Sequence, residues 1–191
     1  NYVVQKFART IMKTNNVDIS SNIRPELLPP VRRMLGYNGA TNTIEELSDS
    51  QGFLIVSSNL TEEQNVVGIP IKAAIKNGAT AIIIDQRETE LTRYADIWLR
   101  PKPGSEYALL GGMIRTIIEE SIDDHDFLVD NCSGLDELKY SLWEFDLFQV
   151  EAQTGIPQSE IREAARCFAG LDSASIIYGL ETVSAELRAE C

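Results

Sequence analysis

Two short apolar runs constrain this chain more than any other feature. "GFLIVSS" (52–58) and "ATAIIID" (79–85) are each of strand length, and neither alternates apolar with polar residues. A strand with one wet face alternates, whereas a strand covered on both faces need not. Around these runs lie segments with helical spacing, so strands and helices take turns along the chain. That alternation predicts an α/β fold of Rossmann-like, doubly wound type, its mostly parallel sheet covered by helices on both faces.

The remaining elements follow from spacing and punctuation. Val4, Phe7, Ala8 and Ile11 predict an amphipathic helix over 2–13. Pro25, Pro29 and Pro30 break regular structure over 14–42, with a short helix near Pro30. Thr61 and Gln64 form a candidate capping box, Pro70 should break or kink the helix they open, and Asn77–Gly78 should close it. After a strand over 80–84, a short helix is expected over 86–93 and a strand over 95–100. A long helix is expected over 106–121, and two or three more over 124–154. Pro157 suits the first position of the next helix, and "ASIIYG" (174–179) reads as the last strand. Trp98 and Trp143 read as core residues.

Charge and cysteine usage narrow the function. The net charge of −12 excludes a broad basic surface for nucleic acid or anionic lipid. No run reaches the length of a membrane span, so direct membrane insertion is not expected. Cys132, Cys167 and Cys191 are widely separated, which suggests neither a metal site nor a disulfide framework and fits a reducing, cytoplasmic setting. The single histidine, His125, reads as a solvated helix-end residue. The chain starts without Met on a helical pattern and is expected to be one segment, 1–191, of a longer polypeptide.

In parallel α/β sheets ligands bind beyond the carboxyl ends of the strands. "SSNLTEE", "DQRET" and "RPKPGSE" are the loops at those ends. The helix opening near Thr61 offers backbone N–H groups to a phosphate, although Glu62 and Glu63 also complement its dipole themselves. Asp85 is placed like the acid that grips a ribose hydroxyl, and a carboxylate equally suits the two adjacent donors of a guanine edge. It also fits, with Glu88, a cap for the following helix. Arg87 can stack on a base, contact phosphate or face solvent. No G-x-G-x-x-G is present, and no nucleophile–base set or metal-ligand cluster can be assembled.

Several ordered stretches add to this reading: "NYVVQKFART", "TNNVD", "SSNLTEEQNVVGIPIKAAIKNGATAIIIDQRETELTRYADIWLRPKPGSEYALLGGM" and "TGIPQSEIREAAR". Across nearly the whole chain they resemble the molybdopterin oxidoreductase (DMSO reductase) superfamily, above all formate dehydrogenase alpha subunits, with the G subunit of respiratory NADH dehydrogenase second. The resemblance implies one cofactor-binding α/β domain of a subunit several times longer. The parent would hold a bis(molybdopterin guanine dinucleotide) with molybdenum or tungsten, and iron–sulfur clusters would lie outside this segment. No metal is expected on the isolated segment. The partners implied are the remaining domains of its own subunit, and NADH dehydrogenase-type or iron–sulfur subunits.

The resemblance also implies site residues. Ser58, Asn59, Thr61 and Glu62 would lie beside phosphates and ribose, Asp85 and Arg87 would contact guanosine, and Gly104, Ser105 and Glu106 would close over it. There are departures. The family commonly has His–Pro at Gln64–Asn65, Pro at Gln86 and Gly at Glu181. Counted without gaps from "NNVD", Arg24 and Pro25 stand where formate dehydrogenases carry the metal-ligand cysteine or selenocysteine and its histidine. A scaffold without metal chemistry, like that NADH dehydrogenase subunit, is therefore the alternative reading, and a free-standing nucleotide-binding domain is the third.

Overall fold

The computed structural model describes residues 2–17, 28–36 and 40–179. Contacts divide the chain into two compact units, Asn1–Gly39 and Ala40–Cys191. Arg24, Pro25, Glu181 and Cys191 lie outside the described residues.

The first unit carries α1 (Tyr2–Thr10) and α2 (Leu28–Leu35). The helix expected over 2–13 ends early: Ile11 and Met12 both donate to the Phe7 carbonyl, and Lys13 takes a left-handed φ of 51°. The short helix expected near Pro30 is α2, with Pro29 and Pro30 in its first turn. Amides of a first turn have no helical acceptor, so prolines are tolerated there.

The second unit carries the sheet. Its strands are β1 (Gly52–Val56), β2 (Thr80–Ile84), β3 (Ile97–Leu99) and β4 (Ala174–Tyr178). All pairings are parallel, in the order β3-β2-β1-β4, with Val56 level with both Ile84 and Tyr178 and Ile84 level with Leu99. The helices are α3 (Leu60–Glu63), α4 (Asn65–Lys76), α5 (Glu106–Glu119), α6 (His125–Asn131), α7 (Leu135–Ser141), α8 (Leu147–Thr154) and α9 (Gln158–Ala169).

The absence of alternation in β1 and β2 now has its cause. Successive side chains point to opposite faces of a strand. Leu54, Val56, Ile82 and Ile84 pack with Leu109 and Met113 of α5, Val150 of α8 and Ile161 of α9. Phe53, Ile55, Ala81 and Ile83 pack on the other side with Leu60, Ile71 and Ile75. Both faces are dry along Phe53–Val56 and Ala81–Ile84, so these positions are all apolar. The doubly wound α/β expectation holds.

Four local expectations are corrected. The Thr61/Gln64 capping box does not form. Asn59 starts α3, and Gln64, at φ −140° and ψ 61°, separates that single turn from α4. Pro70 does not break α4, which runs through it; the carbonyl it leaves without a helical donor belongs to the exposed Val66. No α-helix occupies 86–93. Instead Thr89 and Thr92 exchange side-chain-to-backbone bonds, and a 3-10 turn follows over Leu91–Tyr94. Trp143 is 73% exposed, because Leu142 takes the buried position of the turn Leu142–Glu144. Its ring instead receives the Arg115 guanidinium at 5.5 Å.

Other expectations match to within a residue or two. Asn77 caps α4 and Gly78 follows at φ 105°. Pro157 precedes α9 as its cap rather than opening it. Trp98 packs half-buried against the second cluster, and His125 starts α6 with its side chain 64% exposed. No helix among the described residues is long and apolar enough to cross a membrane.

Candidate functional site

The strand order locates the site. From β1 the chain winds outward to β2 and β3, then returns to place β4 on the other side of β1. The switch in direction falls between β1 and β4, where ligands of such sheets gather beyond the carboxyl ends. The residues directly after the level strand ends are Ser57, Asp85, Arg100 and Gly179.

These ends are tied together. Ser57 donates its N–H to the Ile84 carbonyl at 2.7 Å, and its φ of 48° puts a non-glycine residue in the left-handed region. Gly179 donates to the Val56 carbonyl at 2.9 Å, and a Cβ on it would lie 2.2 Å from the Ser57 carbonyl oxygen. Only glycine allows that approach. Asp85 donates its N–H to the Leu99 carbonyl at 3.1 Å.

Asp85 sits at the tip of β2 with only 4% exposure. Its Oδ1 accepts the Arg87 N–H at 2.8 Å, which folds the loop into a tight turn rather than capping a helix. Its Oδ2 is buried without a donor. The Trp98 indole donates to the Asp85 carbonyl at 2.9 Å, and Arg100 reaches the Gln86 carbonyl at 3.4 Å while stacking on Trp98. The main chain of 85–86 is thus fixed from β3. Arg87 extends into solvent, its Nε 3.8 Å from Asp85 Oδ1.

The third loop closes on the same edge. Gly104 turns at φ 80°, and the Ser105 hydroxyl donates to the Lys102 carbonyl at 2.7 Å. Glu106, first residue of α5, is fully buried. Its Oε1 accepts the Gln86 side-chain amide at 2.6 Å, and its Oε2 has no donor. A buried carboxylate oxygen without a donor is costly, and each such case calls for an explanation.

The first loop is less equipped for phosphate than the sequence suggests. The helix α3 is one turn long, with Glu62 and Glu63 in it, and both their amides already donate to the Asn59 carbonyl. Asn59 is buried, Ser58 and Thr61 are half-buried, and the Thr61 hydroxyl points to Asn59 Oδ1 at 3.4 Å. The described residues hold no group of three or more His, Cys, Asp or Glu able to bind a metal. A hollow of about 700 Å³ lies at the opposite edge, beside Gln51 and Thr80 where β1 and β2 begin. No charged residue lines it, and it faces away from the loops above.

The loops at the strand ends and Asp85 are singled out from the residues themselves, whereas Glu106 enters only through the family resemblance. Sequence reasoning missed Gln86, Trp98 and Gly179, whose partners are brought near only by the sheet order.

Comparison with known proteins settles the family. The model of the molybdopterin oxidoreductase family matches residues 1–184. The chain belongs to the molybdopterin oxidoreductases. It is 35% identical over 94% of its length to the F420-dependent formate dehydrogenase 2 subunit alpha of Methanococcus maripaludis. It is 34% identical over 94% of its length to formate dehydrogenase H of Escherichia coli. Among solved structures, acetylene hydratase from Pelobacter acetylenicus matches 76% of the chain with a TM-score of 0.68 and 36% identity. The chain spans 27%, 25% and 21% of these three proteins respectively, about a quarter of each.

The family implies a molybdopterin cofactor with molybdenum or tungsten in the parent protein. The donor-free oxygens of Asp85 and Glu106 would fit such a group in one respect: a form of it that carries N–H donors would supply what these two acceptors lack.

Proposed function

We propose that the α/β unit holds one guanine nucleotide of a bis(molybdopterin guanine dinucleotide) in a formate dehydrogenase-like oxidoreductase subunit. The observation that carries this reading is Asp85, a buried carboxylate at a strand tip with one oxygen engaged and the other without a donor. The names of the similar proteins add support. A formate dehydrogenase and an acetylene hydratase act on different molecules, yet both match this segment. A segment common to both serves a shared cofactor better than either substrate.

Each residue then has a task. Asp85 accepts from the guanine edge, and Arg87 stacks on the base or meets phosphate. Ser58, Asn59, Thr61 and Glu62 line the ribose and phosphate side. Gly104 turns the third loop so that Ser105 and Glu106 cover the base. Trp98 and Arg100 keep the 85–86 main chain in place, which limits the ordering needed on binding. The bound cofactor would supply two-electron redox chemistry at molybdenum or tungsten. Iron–sulfur clusters, electron-accepting subunits and a cytoplasmic location belong to this reading of the parent.

Arg24 and Pro25 favour a second reading. Arginine cannot supply a thiolate and proline cannot move a proton. A parent in which they replace the metal ligand and its histidine acts as a scaffold, or uses a metal with another ligand.

The test is chemical analysis of the purified full-length protein. Guanosine monophosphate released by acid, pterin and either metal should be present in constant proportion. A full-length protein free of guanine nucleotide sinks the proposal. Formate-dependent dye reduction then separates the two readings: robust turnover that survives Arg24→Ala rules out the scaffold.

A further inference from the structure

Gln86 directly follows the buried tip of β2, and the structure gives it a specific partner. Its side-chain amide donates to Glu106 Oε1 at 2.6 Å, joining the loop after β2 to the first residue of α5. Glu106 is fully buried and its other oxygen lacks a donor. Gln86 is itself held, since its carbonyl accepts Arg100 and the preceding carbonyl accepts Trp98. Glu106 is therefore oriented by a residue whose own backbone is fixed.

We propose that Gln86 is a positioning residue for the nucleotide: it fixes the Glu106 carboxylate so that Oε2 accepts a donor from the bound guanine nucleotide. The inference rests on the nucleotide reading above and adds a residue to it. A carboxylate free to rotate would present its oxygens in several orientations, and binding would have to select one. A carboxylate with one oxygen anchored presents the other in a single direction. Proline at 86 would stiffen the loop through φ but could donate nothing to Glu106.

The chemistry dictates a double-mutant cycle in the full-length protein purified with its cofactor. Guanosine monophosphate recovered per polypeptide after timed dilution reports nucleotide retention. Gln86→Ala should speed nucleotide loss about tenfold, the scale of a hydrogen bond to a charged group. Glu106→Gln, which turns the open acceptor into a donor, should lose nucleotide at least as fast. In the Glu106→Gln background, Gln86→Ala should add nothing. Gln86→Pro, which keeps a rigid loop, should behave like Gln86→Ala and guards against a simple folding defect.

Wild-type retention in both Gln86 variants overturns the inference. So does an equal further loss in the Glu106→Gln background, because Gln86 would then act by another route. The two failures remain separable. If Asp85→Asn sheds nucleotide while the Gln86 variants do not, only the inference falls. A wild-type protein without guanine nucleotide removes the reading and the inference together.

Discussion

The Trp98 indole donates to the backbone carbonyl of Asp85 at 2.9 Å, so an aromatic side chain of β3 fixes the tip of β2. Asp85 is buried, and the indole is the donor its carbonyl has from β3. Trp98→Phe keeps most of the packing and deletes the donor. It should lower stability by about 1–3 kcal/mol, the cost of an unsatisfied buried polar group. For a domain of this size that corresponds to a melting point lower by roughly 2–12 °C. An unchanged melting temperature by circular dichroism would show that the bond contributes nothing.

Asp85→Asn separates ligand binding from folding. The amide oxygen of asparagine can still accept from the Arg87 N–H, so the turn survives and thermal stability should change little. The second oxygen becomes an NH2 group, which repels a guanine donor instead of accepting it. Nucleotide retention in the full-length protein should fall by about 1.5–3 kcal/mol, roughly 10- to 100-fold. Equal retention in wild type and variant would return Asp85 to a purely local role.

Much of the fold was legible because the sheet is dry on both faces. The runs 52–56 and 80–84 could be nothing else once helices flanked them, and Asp85 followed as the first polar residue after a buried strand. The stretch 86–93 was not legible. Its helix-like composition is overridden by hydroxyl bonds between Thr89 and Thr92, which close a tighter turn. The Thr61/Gln64 pair looked like a cap, but Asn59 already holds the start of the turn and Gln64 falls at the break. In the site, Asp85 could be read from its place on a strand. The Gln86–Glu106 bond could not, because it joins residues 20 apart through a loop and a helix start that only the folded sheet brings together.

Two glycines at this edge serve different purposes and should respond differently. At Gly179 a Cβ would meet the Ser57 carbonyl oxygen at 2.2 Å, so Gly179→Ala must push β4 away from the loop after β1. Overpacking of this kind destabilises by about 1–3 kcal/mol. Gly104 has open space around it but a φ of 80°. Gly104→Ala meets only backbone strain, about 1–2 kcal/mol, and Gly104→Asn should recover part of it because asparagine tolerates that conformation. Urea unfolding of all three variants checks the contrast; equal damage from Gly104→Ala and Gly104→Asn would contradict the backbone argument.

A charged clamp joins α5 to α9. Glu120 caps the carboxyl end of α5, where a negative charge opposes the helix dipole. Arg166 offsets this with a two-pronged contact, Nε to Oε2 at 2.6 Å and Nη2 to Oε1 at 2.8 Å, and Arg162 adds a bond at 3.2 Å. The Arg166 hydrogen bonds, aided by the charge of both arginines, hold the Glu120 carboxyl below the usual carboxylate range. A carboxyl whose folded value is lowered stabilises the fold above its unfolded value, which lies near about 4.3 for glutamate. That contribution is lost as the pH falls through the lowered folded value. Glu120→Gln should therefore shift the urea midpoint downward at pH 7, and the gap from wild type should close as the pH drops from about 5 towards 3. High salt should narrow the gap at pH 7, since the pair is partly open to solvent. A gap that stays constant with pH would mean that Glu120 acts through packing and not through its charge.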